Sequence, residues 1–282
     1  VRAAVAGVLA ALALLAGCAD GGPDGAGAAV TTPSARTQPP EVIALGDSIS
    51  VGFAACGRPQ ACPSQSWATG DDPGVGSIAE RLAANWGSEP VSATNLAVPG
   101  ARAEDLPAQA GRVPEDADAL VTLMIGANDV CSPHSSAMTD PAAFRASIDR
   151  TLEVLAERAP DAVIVLSSLP DLAGMYAALQ GDARIAAAWA ARPPCRALMG
   201  PDAVPDDVAA HVEALDAELT EACAAAAQCA WDDGAVHRWE PVAASLSDID
   251  SFHPSAQGQA ELAAAVWAAL TTARPAQALL RP

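Results

Sequence analysis

Basic residues are scarce in this chain, with 15 Lys and Arg against 34 Asp and Glu in 282 residues and a formal charge of −19 at pH 7. A surface that neutralises phosphates needs clustered cations, so this balance excludes nucleic-acid binding as a function class. Acidic surface of this kind serves solubility. The sequence also lacks a glycine-rich phosphate loop and a dinucleotide fingerprint, which argues against the common nucleotide-binding designs. No cysteines stand in a C-x-x-C spacing, and His134, His211 and His237 have no mutual ligand spacing. No metal and no cofactor are therefore expected. No internal repeat is visible.

What is present begins with the head of the chain. Arg2 precedes an apolar run over residues 3–16, shorter than the roughly 20 residues a membrane-spanning helix needs and suited to a signal-peptide core. It ends in Leu15-Ala16-Gly17-Cys18, which resembles a bacterial lipobox and implies a mature protein starting at a lipidated Cys18. An ordinary secretory signal with a chance cysteine is the alternative. Residues 19–40 are rich in Gly, Pro, Ala and Thr without apolar period, the composition of a flexible tether. The expected organisation is a signal peptide over 1–17, a lipidated cysteine and linker over 18–40, and one domain over 41–282. The expected location is outside the cell, on the outer face of the cytoplasmic membrane or secreted.

Six cysteines remain, Cys56, Cys62, Cys131, Cys195, Cys223 and Cys229. An even number in an exported chain implies disulfides, and six permit fifteen pairings in principle. The two closely spaced pairs favour bridges Cys56–Cys62 and Cys223–Cys229, leaving Cys131 with Cys195.

Short apolar runs over residues 42–45, 91–97, 120–125 and 163–166 read as buried strands. Between and after them, helical patterns cover 76–86, 104–111, 141–159, 206–223 and 256–271. Such alternation predicts an α/β fold with a central parallel sheet and helices on both sides. Ligands of these sheets sit beyond the carboxyl ends of the strands. Ser48, Gly100 and Asn128 each follow one of the first three runs, so all three are predicted on one rim.

Chemistry gathers in four segments. Gly46-Asp47-Ser48 turns from a strand toward a helix start, which exposes the Ser48 hydroxyl and aims main-chain N–H groups at developing negative charge; a helix-capping serine is the other use of this position. Asp250-Ser251-Phe252-His253 supplies a histidine that can take the serine proton, with Asp250 to orient the ring. Asp248 is a nearby competitor for the carboxylate role. Asn128 offers a side-chain N–H, and Gly100 and Ser48 main-chain N–H groups, for a tetrahedral oxyanion. Each also has a plainer use: Gly100 as a turn residue after Pro99, and Asn128 as a cap. Asp129 is expected to have a structural, hydrogen-bonding role. The loop over 53–76 either shapes an acyl groove or is a stapled surface loop.

With these segments in this order, the chain resembles the SGNH (GDSL) hydrolase family over most of residues 41–270. The resemblance implies a three-layer α/β/α, flavodoxin-like fold and assigns the four family blocks to Ser48, Gly100, Asn128 and His253. Ile49 stands where the name-giving motif has Leu, and Ala127 where Gly is frequent; both changes are apolar and conservative. Ser66-Trp67-Ala68-Thr69-Gly70, Asn95 through Pro107, and Ile125 through Cys131 resemble the phospholipase B branch, which implies lipid esters as candidate substrates. The expected protein is thus a metal-independent serine ester hydrolase, a monomer whose partners are a small or lipid ester and, through Cys18, the membrane. The alternatives are an O-deacetylase of cell-wall polysaccharide or peptidoglycan, and a surface-binding lipoprotein with a vestigial hydrolase site.

Overall fold

Each expected apolar run forms a strand in the computed structural model, which describes residues 36–280. The signal segment, Cys18 and most of the tether lie outside the described residues. The strands are β1 (Glu41–Gly46), β2 (Ala93–Asn95), β3 (Ala119–Met124), β4 (Val163–Leu166) and β5 (Cys229–Trp231). They form one parallel sheet in the order β2-β1-β3-β4-β5. This is the flavodoxin-like order, in which the chain leaves β1 in opposite directions to reach β2 and β3. The crevice opened by that reversal lies above the ends of β1 and β3, where Ser48 and Asn128 stand.

The helices are α1 (Ile78–Trp86), α2 (Leu106–Ala110), α3 (Ala127–Val130), α4 (Pro141–Arg158), α5 (Leu172–Leu179), α6 (Ala183–Ala191), α7 (Arg196–Met199), α8 (Pro205–Ala225) and α9 (Ala256–Leu270). They pack in two groups, α1 with α9, and α2, α4, α5, α7 and α8 together. These are the outer layers of a three-layer sandwich. Residues of β3 and β4 are buried along their whole length, as expected for strands covered on both faces. Local signals start the helices: Ser77 and Glu80 form a reciprocal capping box on α1, and Asp140 caps α4 just before Pro141. Ser255 accepts from the Gly258 amide to start α9 two residues after His253. No helix among the described residues is long and apolar enough to cross a membrane.

Two features differ from the sequence expectation. β2 is much shorter than the run over 91–97, because it is an edge strand whose side chains are largely exposed. Its main chain nevertheless follows β1 further, with Leu96 and Val98 amides donating to Ala44 and Gly46 carbonyls at 2.8 and 3.0 Å. β5 and helices α5 to α7 were not expected, since a three-residue strand and short alanine-rich helices leave too little apolar period to read.

The disulfides are Cys56–Cys62, Cys131–Cys195 and Cys223–Cys229. Cys131–Cys195 spans 64 residues and ties the segment after α3 to the start of α7.

Candidate active site

The turn after β1 is shaped by backbone before side chains. Gly46 has φ +137°, and a Cβ there would collide with the Met124 carbonyl of β3 and lie 2.6 Å from Ser50 Oγ. Glycine is thus required for the chain to leave the sheet at this angle. Asp47 is buried, and its Oδ1 accepts from the Ile49 amide at 2.9 Å, closing the turn around Ser48. Ser48 itself is only 8% exposed.

Three side chains then line up. His253 Nε2 lies 2.9 Å from Ser48 Oγ, and His253 Nδ1 lies 2.6 Å from Asp250 Oδ2. The other carboxylate oxygen of Asp250 accepts from the amides of Phe252 and His253, each at 3.0 Å. Ser251, at φ +55°, makes the tight bend between carboxylate and ring. Burial by itself would raise the Asp250 carboxyl, but the hydrogen bond and charge of His253 together with the two amides outweigh it and hold Asp250 below the usual carboxylate range. Asp248 points elsewhere, pairing with Arg184 at 2.7 Å on the surface. Phe53 and Phe252 flank the His253 ring at centroid distances of 4.9 and 5.6 Å.

The remaining predicted residues fall beside this relay. Asn128 Nδ2 donates to the Ala101 carbonyl at 3.0 Å and approaches Asp47 Oδ2 at 3.4 Å. Ser48, Asn128 and His253 line one cleft of about 60 Å³ with Ile49, Leu172, Met175, Trp239 and Phe252. Gly100 is not among its lining residues; it sits at φ +83° on a separate depression lined also by Ala101 and Arg112. Among the described residues, neither the Ser48 nor the Gly100 N–H donates to a protein acceptor. The loop over 53–76 contributes no residue to the cleft. It is tied by Cys56–Cys62 and anchored by fully buried Trp67, while residues 56–60 are exposed, so of the two expectations it matches the stapled surface loop.

Asp129 is fully buried and accepts from the Ala103 amide at 3.1 Å. Burial raises its carboxyl, and it braces the segment that carries Gly100 against α3. Sequence reasoning gave no role to Asp47, whose carboxyl burial pushes up to about 6. It also missed buried Gln109 and Gln259 beside the nucleophile turn and gave no role to half-buried Asn95, which opens a motif segment. A lone Asn or Gln carries no periodic signal, and only the fold shows what it touches. Among the described residues, no group of three or more His, Cys, Asp or Glu is placed to hold a metal ion.

A parallel α/β/α sandwich carrying serine, histidine and aspartate in series at its strand ends defines the class as a hydrolase of the acyl-transfer type. The chain belongs to the GDSL-like Lipase/Acylhydrolase family, whose model matches residues 44–261 and so spans all four motif segments. Solved structures share the fold. TesA superposes with a TM-score of 0.50 at 19% identity, covering 84% of this chain and 99% of its own. A catalytic mutant of Axe2, an acetylxylan esterase from Geobacillus stearothermophilus, gives 0.51 at 17% identity, covering 82% and 93%. No curated protein shows a significant match to the chain. Ester hydrolysis is the chemistry of the family to which this site belongs.

Proposed function

We propose that the protein is a serine carboxylic-ester hydrolase acting on acyl or phospholipid esters. The observation that carries this reading is the unbroken contact series from Asp250 through His253 to Ser48 Oγ, at 2.6 and 2.9 Å. Ser48 Oγ attacks the ester carbonyl and His253 Nε2 takes its proton, while Asp250 orients the ring and stabilises the imidazolium. The tetrahedral oxygen is held by the Ser48 and Gly100 N–H groups and Asn128 Nδ2. Two uncommitted main-chain donors support that assignment, as does Asn128 Nδ2, which keeps its bond to Ala101 and exchanges its longer contact, 3.4 Å to Asp47 Oδ2, for the oxyanion. Collapse expels the alcohol with the proton from His253; water then attacks the acyl-serine by the same route and releases the acid.

The apolar walls of the cleft favour an uncharged acyl group. A groove of about 810 Å³ adjoins it, sharing Met175 and Trp239 and adding Ala178, Leu179 and Val242, which gives a longer chain somewhere to lie. A second reading is supported by the cleft's own size. At roughly 60 Å³ it is less than a tenth of the groove beside it. That suits an acetyl group and hence deacetylation of a cell-wall polymer. Hydrolysis of p-nitrophenyl esters from acetyl to palmitoyl, alongside Ser48→Ala, tests both. Ser48-dependent turnover that rises with chain length supports the lipid-ester reading; turnover confined to acetate supports the second; equal activity in Ser48→Ala refutes the serine mechanism.

The location proposed is the outer face of the cytoplasmic membrane, with the protein held by a lipid on Cys18 and acting as a monomer. It rests on the sequence of residues 15–18. Cys18→Ala is expected to move the protein from the membrane to the soluble fraction, and unchanged membrane retention would overturn it.

A further inference from the structure

The nucleophile turn is held at three points by amide side chains, those of buried Gln109 and Gln259 and of half-buried Asn95. At its start, Gln109 Oε1 accepts from the Gly46 amide at 2.8 Å and Gln109 Nε2 donates to the Gly46 carbonyl at 2.9 Å. At its end, Asn95 Nδ2 and Ser66 Oγ both donate to the Ser50 carbonyl, at 2.8 and 2.7 Å. In the middle, Gln259 Nε2 donates to the Ile49 carbonyl at 3.0 Å while its Oε1 accepts from the Trp67 amide at 2.8 Å. Gln259 is fully buried.

These three braces are not equivalent. Gln109 and Asn95 attach the turn to α2 and β2, elements on its own side of the chain. Gln259 belongs to the first turns of α9, the helix that Ser255 caps two residues after His253. It therefore joins the residue after the nucleophile to the helix that follows the base. Ser48 and His253 are 205 positions apart in sequence, so their contact depends on how α9 docks against the turn.

We propose that Gln259 is a positioning residue of the reaction, setting the separation of Ser48 Oγ and His253 Nε2 by fixing α9 to the Ile49 carbonyl. This rests on the serine-hydrolase reading above. The amide suits the place because the Trp67 N–H needs an acceptor out of reach of water, while the Ile49 carbonyl, which already accepts from the Gly52 amide at 3.1 Å, takes its second hydrogen bond from Gln259 Nε2. A carboxylate at this place satisfies the Trp67 donor and sets an oxygen against the Ile49 oxygen. A thioether fills the volume and satisfies neither. The Ser48–His253 contact tolerates little drift, since a displacement of about 1 Å in a catalytic constellation can cost about 10²-fold in rate.

The test uses the full chain with Gln259→Glu and Gln259→Met, assayed on p-nitrophenyl acetate below their melting temperatures. A fluorophosphonate, which reacts with the same activated serine, provides a second rate. Both variants are expected to lose about 10²-fold in kcat with KM within about threefold, and to lose fluorophosphonate reactivity by the same factor. Gln259→Glu is the sharper variant, because it keeps the Trp67 contact and removes only the Ile49 one; it also serves if Gln259→Met does not fold. Wild-type kcat and fluorophosphonate rate in folded Gln259→Glu would overturn the proposal. So would a loss that appears only in melting temperature or only in KM. Ser48→Ala run beside them separates the two readings: if it remains active, the serine mechanism itself fails, whereas a dead Ser48→Ala with fast Gln259 variants overturns the positioning role alone.

Discussion

Among the described residues, two aspartate–histidine pairs stand above the strand ends of this sheet, and one of them meets a serine hydroxyl. Asp250 and His253 come from one loop, meet at 2.6 Å, and leave the second ring nitrogen 2.9 Å from Ser48. Asp216 on α8 and His237 after β5 approach at 3.0 Å without hydrogen-bond alignment. A serine is close there too, but Ser168 Oγ accepts from the His237 main-chain amide and donates to Asp232 at 2.9 Å. That serine is consumed in joining the loops after β4 and β5. The carboxylates diverge accordingly. Two amides and His253 hold Asp250 low against its burial, whereas burial, opposed by the Leu169 amide, pushes Asp216 up to about 7. Proximity of Asp, His and Ser therefore does not make a relay; the relay also needs a free ring nitrogen aimed at a hydroxyl and donors enough to keep the carboxylate charged.

Breaking the first pair is expected to have the largest effect. Ser48→Ala should reduce kcat/KM by on the order of 10⁵-fold, read by hydrolysis of p-nitrophenyl esters. Asp250→Asn should cost about 10⁴-fold, because the ring loses the partner that fixes its tautomer. The equivalent change in the second pair, Asp216→Asn, is expected to stay within about threefold of wild type, since it touches no reacting atom. A large loss there would show that the two pairs are not as different as their geometry implies.

The cross-links sharpen the contrast through stability. Cys131 lines the cleft beside Ser48, and its bridge to Cys195 closes a 64-residue separation. Replacing both by serine should lower unfolding free energy by about 4 kcal/mol on the chain-entropy model. Removing Cys56–Cys62, separated by only 6 residues, should cost about 2 kcal/mol. Urea unfolding of the two double variants measures the difference.

The pH dependence is the most diagnostic effect, because the two carboxylates contribute with opposite sign. Asp250 is held below its ordinary value, so the unfolded state binds its proton first as pH falls. Its stabilisation is present above the ordinary value of 3.8 and lost as pH drops through the folded value. Asp216 is raised to about 7 from 3.8, so between those values the folded state holds a proton that the unfolded state has released. Stability from this group therefore declines as pH rises, by at most about 1.4 kcal/mol per unit. Asp250→Asn should be most destabilising near neutrality and nearly neutral in acid. Asp216→Asn should gain on wild type as pH climbs from 4 to 7. Parallel pH dependences for the two variants would refute the assignment.

Much of this was legible in the linear chain because it is local. The strand-ending motifs put Ser48 and Asn128 at the ends of β1 and β3, a matter of apolar runs followed by turn chemistry. Asp250 and His253 are three residues apart, so one bend suffices to join them. The closely spaced cysteines pair for the same reason. β5 and the short helices α5 to α7 escaped because brief alanine-rich segments carry little period. The walls of the cleft escaped with them, since Leu172, Met175 and Trp239 come from that part of the chain.

The sequence by itself determined the fold class, the family and the candidate site residues, because each depends on a residue's type and its near neighbours. Only the tertiary structure decided that Asp250 and not Asp248 serves the histidine, and that His237 and Ser168 form no second relay. It also decided that Gln259 links the turn bearing the nucleophile to the helix following the base. Those outcomes depend on distances between residues up to about two hundred positions apart, which packing of the sheet and its helices fixes and no local pattern encodes.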